Sequence, residues 1–277
     1  MGKHTLFYRK MNILTVFMVL FIFLFTIICI APFIYMVLLS FTQSQSMSFS
    51  WKEFSLNPVN YQYTLIKTGF GRALWNSVIV VGLSCLFNCI MSAMAAYGFE
   101  KKPIPGKEKL FAIYVATLMI PGQVTLIPVF IIMKSMNLLN TYTALILPIL
   151  NAFGVFLVRQ FMTSVPDELI EAAQVDGCPE PKIFLNIVIP LLKPVMISLT
   201  VFTFVTSWNN FLWPLVITTK KGMYTLTVAL SLLKTNYNAN YGLIMAGAAI
   251  SFLFPFVLYV FLQKQFVEGI ALSGLKG

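Results

Sequence analysis

Long apolar runs alternate with short polar segments along this 277-residue chain, and 58% of its residues are hydrophobic whereas only 10% are charged. Soluble domains carry about 25% charged residues, and about 20 consecutive apolar residues can cross a bilayer as one helix. The pattern therefore predicts an all-α, polytopic membrane protein with six transmembrane helices. The predicted spans cover residues 13–39, 73–99, 110–133, 142–161, 195–217 and 241–263.

The same pattern divides the chain into a first span with an outside loop (1–70), a core of five spans (71–263) and a tail (264–277). The first apolar run exceeds the roughly 7–15 residues of a secretory signal, so we expect it to remain as a span. With both termini inside, 12 of the 19 Lys and Arg residues lie inside and 7 lie outside. Because basic residues favour cytoplasmic loops, we predict a multi-pass cell-membrane protein with cytoplasmic termini.

Proline and glycine interrupt the third predicted span at Pro121, Gly122 and Pro128. A membrane helix with such residues kinks or breaks, and the backbone carbonyl groups that it frees need other partners. A hinge for alternating access and a static bend both explain the interruption. The pattern does not decide between them.

Polar side chains recur at helical spacing within the second and fifth predicted spans. A polar stripe on a membrane helix must face protein or water. Two explanations stay open, namely hydrogen bonds between helices and a path for a polar solute. The candidate path residues are Asn88, Asn151, Thr203, Ser207, Asn209 and Asn210.

Several kinds of chemistry are missing from the sequence. No predicted span has an acid or a histidine at its centre, which argues against a stand-alone secondary carrier of a small polar solute. That alternative stays open because a sodium site can be built from carbonyl and hydroxyl groups. The chain has no phosphate-binding Gly-x-x-x-x-Gly-Lys-Ser/Thr loop, and its single histidine, His4, rules out a Ser/His/Asp triad. We therefore predict no catalytic residues, no cofactor and no enzyme activity.

Cysteine and charge add two further exclusions. Cys85 and Cys89 lie one helical turn apart in an apolar span, and we interpret them as packing residues rather than as a metal site. The net charge of +10 comes from residues between apolar spans. This distribution favours membrane retention over nucleic-acid binding.

A polar segment from 164 to 194 separates the fourth and fifth predicted spans and holds five of the nine acids. Ser164 and Asp167 fit a capping box at the start of a short helix. Gly177 predicts the end of that helix, because glycine adopts the left-handed C-terminal conformation at low cost. A second helix is expected from about Pro181 into the next span. Such a hairpin on the membrane face is typical of a docking element.

This segment also carries a family motif. The matching residues are Glu171, Ala172, Ala173, Gly177, Ile187, Ile189 and Pro190. They resemble the EAA signature of the membrane subunits of binding-protein-dependent ABC importers, in which leucine usually replaces Ile189. Further stretches, including 121–128, 207–214 and 266–270, resemble sugar permeases of the maltose-permease type, second-subunit branch.

The resemblance implies the fold of a type I ABC importer permease in a bacterial inner membrane. It also implies a heterodimer with a second permease subunit, two ATP-binding subunits, an extracytoplasmic solute-binding protein and a sugar or oligosaccharide cargo. ATP would be bound by the partner chain, which would dock on loop 162–193. The implied docking residues are Glu171, Ala172, Ala173, Asp176, Gly177, Ile187 and Pro190.

Overall fold

The computed structural model describes residues 13–43, 45–237 and 240–274. Its helices are, in chain order, α1 (Ile13–Ser40), α2 (Val59–Gln62), α3 (Phe70–Lys101), α4 (Lys107–Ala116), α5 (Gly122–Ser135), α6 (Tyr142–Ile146), α7 (Ala152–Met162), α8 (Asp167–Val175), α9 (Glu180–Ile183), α10 (Ile189–Leu191), α11 (Lys193–Trp208), α12 (Leu212–Ile217), α13 (Leu226–Asn236) and α14 (Tyr241–Gly274). The π-helical turns Tyr63–Lys67 and Phe184–Val188 extend α2 and join α9 to α10. The 3-10 turns Thr117–Met119 and Leu147–Ile149 extend α4 and α6.

The prediction of an all-helical protein with six spans is confirmed. Within the described residues α1, α3 and α14 are each long and apolar enough to cross a membrane, and three bent helix pairs raise the candidate spans to six. The bends measure 104° between α4 and α5, 47° between α6 and α7, and 77° between the α9–α10 segment and α11.

Particular residues produce the first two bends. Pro121 lies between α4 and α5 with an extended ψ of 130°, so the predicted break in the third span is present. Asn151 caps the start of α7, where its Oδ1 accepts hydrogen bonds from the backbone N–H groups of Phe153 and Gly154 at 3.1 and 3.4 Å. This cap satisfies two of the N–H groups that a new helix start leaves free.

The central helix of the bundle is α3, which packs against both α7 and α11. Small side chains permit the close approach, because a Cβ on Gly154 of α7 would lie only 2.3 Å from Oγ of Ser92 in α3. The polar face predicted for the second span is buried. Its members are Ser77, Ser84, Asn88 and Ser92.

The first span lies at the edge of this bundle. Helix α1 packs against α14, and the rings of Phe33 and Phe252 lie 4.5 Å apart between their centroids. Most other side chains of α1 are exposed and apolar. Such a surface suits contact with lipid.

The C-terminal third differs from the prediction in the fifth span and in the loop that follows it. The predicted span 195–217 is split, because α11 ends at Trp208 and α12 begins at Leu212. Pro214 has no N–H for the continuing helix. The predicted loop 218–240 contains α13, whose Leu226 and Leu233 are buried against the bundle. The predicted tail 264–277 continues α14 to Gly274, and 275–277 lie outside the described residues.

Candidate functional site

The polar segment 162–193 forms a helical hairpin, which we call the docking hairpin. Its first helix, α8, begins after Pro166, and no side chain caps its start. The Ser164 hydroxyl instead donates to the carbonyl oxygen of Phe161 at 2.7 Å. The predicted capping box is therefore wrong: Pro166 occupies the N-cap position, and Asp167 is the first helical residue.

The end of α8 confirms the prediction for Gly177, which has a φ of +73°. The N–H of Gly177 donates to the carbonyl oxygen of Gln174 at 3.0 Å, and the N–H of Cys178 donates to that of Ala173 at 2.9 Å. These two bonds form a Schellman motif. A Cβ at Gly177 would have no atom within 4 Å, so the backbone conformation alone favours glycine.

The second half of the hairpin runs from Glu180 to Leu191 and then turns by 77° into α11. The predicted continuous helix into the fifth span is therefore wrong. Pro194 supplies the reason, because it cannot donate a backbone hydrogen bond to the carbonyl of Pro190 and its ring crowds that carbonyl. The hairpin consequently lies across the end of the bundle as a separate unit.

One face of α8 packs against the bundle. Ile170 is buried, and Ala173 and Cys178 are half-buried against a core cluster that includes Ile183 and Val188. This cluster continues into α7, α3 and α11. The hairpin is therefore attached to the bundle by apolar contacts as well as by charge.

The opposite face of α8 is exposed. Glu171 and Ala172 lie on it, Asp176 follows at its end, and Val175 is 87% exposed. Of the other predicted docking residues, Ala173 and Ile187 are half-buried and Pro190 is exposed. Val175 was missed in the sequence, although it follows Ala172 by three residues and therefore shares its face.

Ion pairs join the hairpin to the end of α3. Lys101 Nζ lies 2.7 Å from Asp167 Oδ1, and Lys102 and Tyr97 both contact Oε1 of Glu180. The hydrogen bonds from Lys102 and then from Tyr97 hold the pKa of Glu180 below its ordinary value. Glu180 is therefore ionised at neutral pH. No motif in the sequence indicated these pairings.

The candidate path residues fall into two groups. Asn88 donates to Oγ1 of Thr203 at 2.9 Å, and both are buried between α3 and α11. Ser207 is also buried, and its hydroxyl has no hydrogen-bond partner among the described residues. Asn88 and Thr203 therefore join two helices, whereas Ser207 makes no such bond among the described residues. The role of these three residues in a passage stays a prediction.

The second group is nearer to open space. Asn209 is exposed and Asn210 half-buried at the break after α11, and the exposed Asn151 caps α7. Asn210 also lines a cavity of about 260 Å³ beside the broken third span. The other residues that line this cavity are Gly122, Gln123, Thr125, Leu126, Val129, Pro148, Leu212 and Trp213. The amides of Gln123 and Asn210 and the hydroxyl of Thr125 can hydrogen-bond to a polar solute. Trp213 can offer only its ring, because its Nε1–H already donates to the carbonyl oxygen of Ala144 at 2.8 Å.

The sequence profile of the family described as binding-protein-dependent transport system inner membrane component matches residues 89–271. The arabinooligosaccharides transport system permease protein AraQ of Halalkalibacterium halodurans is 35% identical over 262 residues, covering 90% of this chain and 92% of that protein. The lactose transport system permease protein LacG of Rhizobium radiobacter is 35% identical over 196 residues, covering 70% and 72% of the two chains.

A solved structure has the same fold. It belongs to a bacterial ABC transporter involved in the import of the acidic polysaccharide alginate. The matched chain superposes with a TM-score of 0.79 at 20% identity, and the match covers 92% of this chain and 97% of that one. At this identity the similarity supports the fold alone.

Proposed function

The chain belongs to the family of binding-protein-dependent transport system inner membrane components, and from that membership we propose that it carries sugars or oligosaccharides across the inner membrane with energy from a partner ATPase. As a permease of an ABC importer it works with an ATP-hydrolysing subunit and a solute-binding protein. The single observation that carries the coupling role is the docking hairpin, whose apolar face is attached to the bundle while its acidic face is open.

The outer face of the hairpin fits a protein partner. Small Ala172 and apolar Val175 lie between the exposed acids Glu171 and Asp176. A helix of this kind can insert into a cleft, with its small residues at the contact and its acids at the rim. We assign this face to the ATPase, and Gly177 fixes its orientation through the Schellman motif.

Carbohydrate is the proposed cargo. Relatives that cover most of this chain are named for transport of arabinooligosaccharides and lactose. The cavity beside the broken third span offers the side chains of Gln123, Thr125, Asn210 and Trp213. Polyhydroxylated rings pair with amides and hydroxyls and pack on aromatic faces, so the lining supports this cargo class.

A second permease subunit is the proposed partner within the membrane. No described residue of α4 is buried, and only Met133 is buried in α5. Large apolar side chains, among them Met119 and Val124, are 85% and 67% exposed there. An apolar surface of this kind in a membrane suits lipid or protein, and we propose that a second permease subunit covers it, giving a heterodimer served by two ATPases. We place both termini on the cytoplasmic side.

Uptake by proteoliposomes tests the proposal. The permease would be reconstituted with its second permease subunit and ATPase, with ATP inside the vesicles and the solute-binding protein outside. We expect ATP-dependent uptake of at least one of lactose, maltose and arabinotriose. Uptake that needs a proton or sodium gradient and no ATP would overturn the energy source, and ATP-dependent transport of none of the three sugars would overturn the cargo class.

A further inference from the structure

Two acids at the starts of the two hairpin helices are held by the end of α3. Lys101, the last residue of α3, places Nζ 2.7 Å from Asp167 Oδ1 and 2.6 Å from the carbonyl oxygen of Val165. The Lys101 side chain is only 5% exposed. It therefore has little freedom to leave these two partners.

The second attachment is a cluster around Glu180. Its Oε1 receives a hydrogen bond from the Tyr97 hydroxyl and forms an ion pair with Lys102. The Lys102 ammonium lies 5.0 Å from the centroid of the Tyr97 ring. That ring packs on Phe184, one helical turn after Glu180, at 5.3 Å between centroids. Tyr97 therefore makes an apolar contact with Phe184 and contacts with the charged groups of Glu180 and Lys102.

The charges suit the helix ends at which they lie. Lys101 and Lys102 are at the C-terminal end of α3, where the helix dipole favours positive charge. Asp167 and Glu180 are in the first turns of α8 and α9, where it favours negative charge. Each ion pair therefore places a favourable charge at two helix ends. The hairpin is attached to α3 at the starts of both α8 and α9.

The remaining acids of the hairpin behave differently. Among the described residues Glu168, Glu171 and Asp176 are exposed and form no ion pair. The acids thus divide into two that bind the bundle and three that are free for another chain. This division separates attachment to α3 from the contact with a partner.

Helix α3 continues from the hairpin into the bundle. Asn88 on α3 is hydrogen-bonded to Thr203 of α11 at 2.9 Å, and Ser92 lies against Gly154 of α7. A displacement of the α3 end would therefore reach α7 and α11 through close contacts. Packed helices with such contacts shift as discrete units rather than deforming continuously.

We propose that Tyr97, Lys101, Lys102, Asp167 and Glu180 form a clamp that transmits movement of the docking hairpin to α3. The proposal rests on the proposed function of the hairpin. The five side chains are positioning residues, since they connect the ATPase contact to the bundle. Without the clamp, the ATPase can still bind the hairpin, but its closure moves α3 less, because only the apolar contacts of the hairpin with the bundle remain.

A charge-swap cycle tests the clamp in the full complex. The variants are Lys102→Glu, Glu180→Lys and the double variant, with Lys109→Glu as the control because Lys109 is exposed and forms no ion pair among the described residues. The measurement is the number of sugar molecules taken up per ATP hydrolysed, for whichever of lactose, maltose and arabinotriose the wild type carries fastest. Each purified complex is also checked for thermal stability and bound ATPase.

We expect both single variants to retain the ATPase. The number of sugar molecules taken up per ATP hydrolysed should fall by a factor of about five or more, which is the size of a typical coupling between sites. The double variant should recover part of the loss, because the ion pair returns although both swapped charges oppose their helix dipoles, and Lys109→Glu should match the wild type. A wild-type ratio in the single variants overturns the clamp. So does a loss that the double variant does not repair.

Two further variants keep the result interpretable. Glu180→Gln preserves the side-chain volume and removes only the charge, so it replaces any single variant that fails to fold. A wild-type ratio of sugar taken up to ATP hydrolysed in Glu180→Gln would also overturn the proposal. Gly177→Val tests the hairpin itself in the same assay. If Gly177→Val keeps normal ATPase binding and uptake, the docking role fails; if it loses both while Lys102→Glu couples normally, only the clamp fails.

Discussion

Replacing Gly177 by valine perturbs the docking hairpin at a single backbone position. Gly177 has a φ of +73°, and no atom lies within 4 Å of a Cβ built there. The new Cβ therefore meets no neighbouring atom. The expected effect comes from the left-handed conformation, which valine adopts poorly.

The size of the effect follows from that conformation. A left-handed backbone costs an L-residue about 1–2 kcal/mol. An energy of this size changes an equilibrium by a factor of about 5–30. The equilibrium between the formed and the broken state of the two Schellman hydrogen bonds, at 3.0 and 2.9 Å, would shift toward the broken state by this factor. The C-terminal end of α8 would then no longer be held in one conformation. We expect affinity for the ATPase to fall by about 5–30-fold.

Co-purification of the ATPase over a range of ATPase concentrations measures this affinity. Gly177→Asn is the matched variant, because asparagine tolerates the left-handed region, and we expect its affinity to stay within a few-fold of the wild type. Gly82→Val is the control, since Gly82 lies in α3 with open space around it and an ordinary φ. Equal affinity for the Gly177→Val variant and the wild type would refute the reasoning.

Five other substitutions test the packing, the docking face and the exposure of the path residues. Ala173→Trp should overpack the bundle by about 1–3 kcal/mol and lower the Tm of the purified permease, whereas Ala172→Trp on the exposed face should keep the Tm and lose the ATPase. Gly154→Val should also lower the Tm, because its Cβ would lie 2.3 Å from a side-chain oxygen of α3; a wild-type Tm would contradict that contact. With the four native cysteines removed, Asn209→Cys should react quickly with a water-soluble thiol reagent and the buried Thr203→Cys slowly; equal rates would contradict the burial.

Local patterns predicted the features that depend on local chemistry. Six apolar runs gave the span count, and the spacing of Ser77, Ser84, Asn88 and Ser92 indicated a polar face of α3 that meets protein or water. The structure shows that this face is buried. Gly177 was identified as a helix end because few residues other than glycine occupy that conformation easily. These predictions need only the neighbouring sequence.

The errors arose where other parts of the chain decide the outcome. Helix α13 lies in a segment that looks polar on average, and its Leu226 and Leu233 are buried only because α3 and α14 are beside them. The capping box at Ser164 failed because Pro166 takes the N-cap position. Ala173, a predicted docking residue, is half-buried against the bundle, a contact that the sequence did not indicate.

The clamp could not be predicted from local sequence for the same reason. Lys101 and Asp167 are 66 residues apart, and Tyr97 and Glu180 are 83 residues apart. Basic residues at the end of a span are expected at any cytoplasmic boundary. Only the folded arrangement shows which acids they contact.

Photo-crosslinking from the hairpin tests the central claim most directly, namely that the exposed face of α8 contacts the ATPase. A benzoylphenylalanine at Val175, which is 87% exposed, should cross-link to the ATPase in the intact complex. The same group at the exposed Leu56, in the predicted outside loop, should give no such product. An intact complex with no cross-link from Val175, or with equal cross-linking from both positions, would contradict the account.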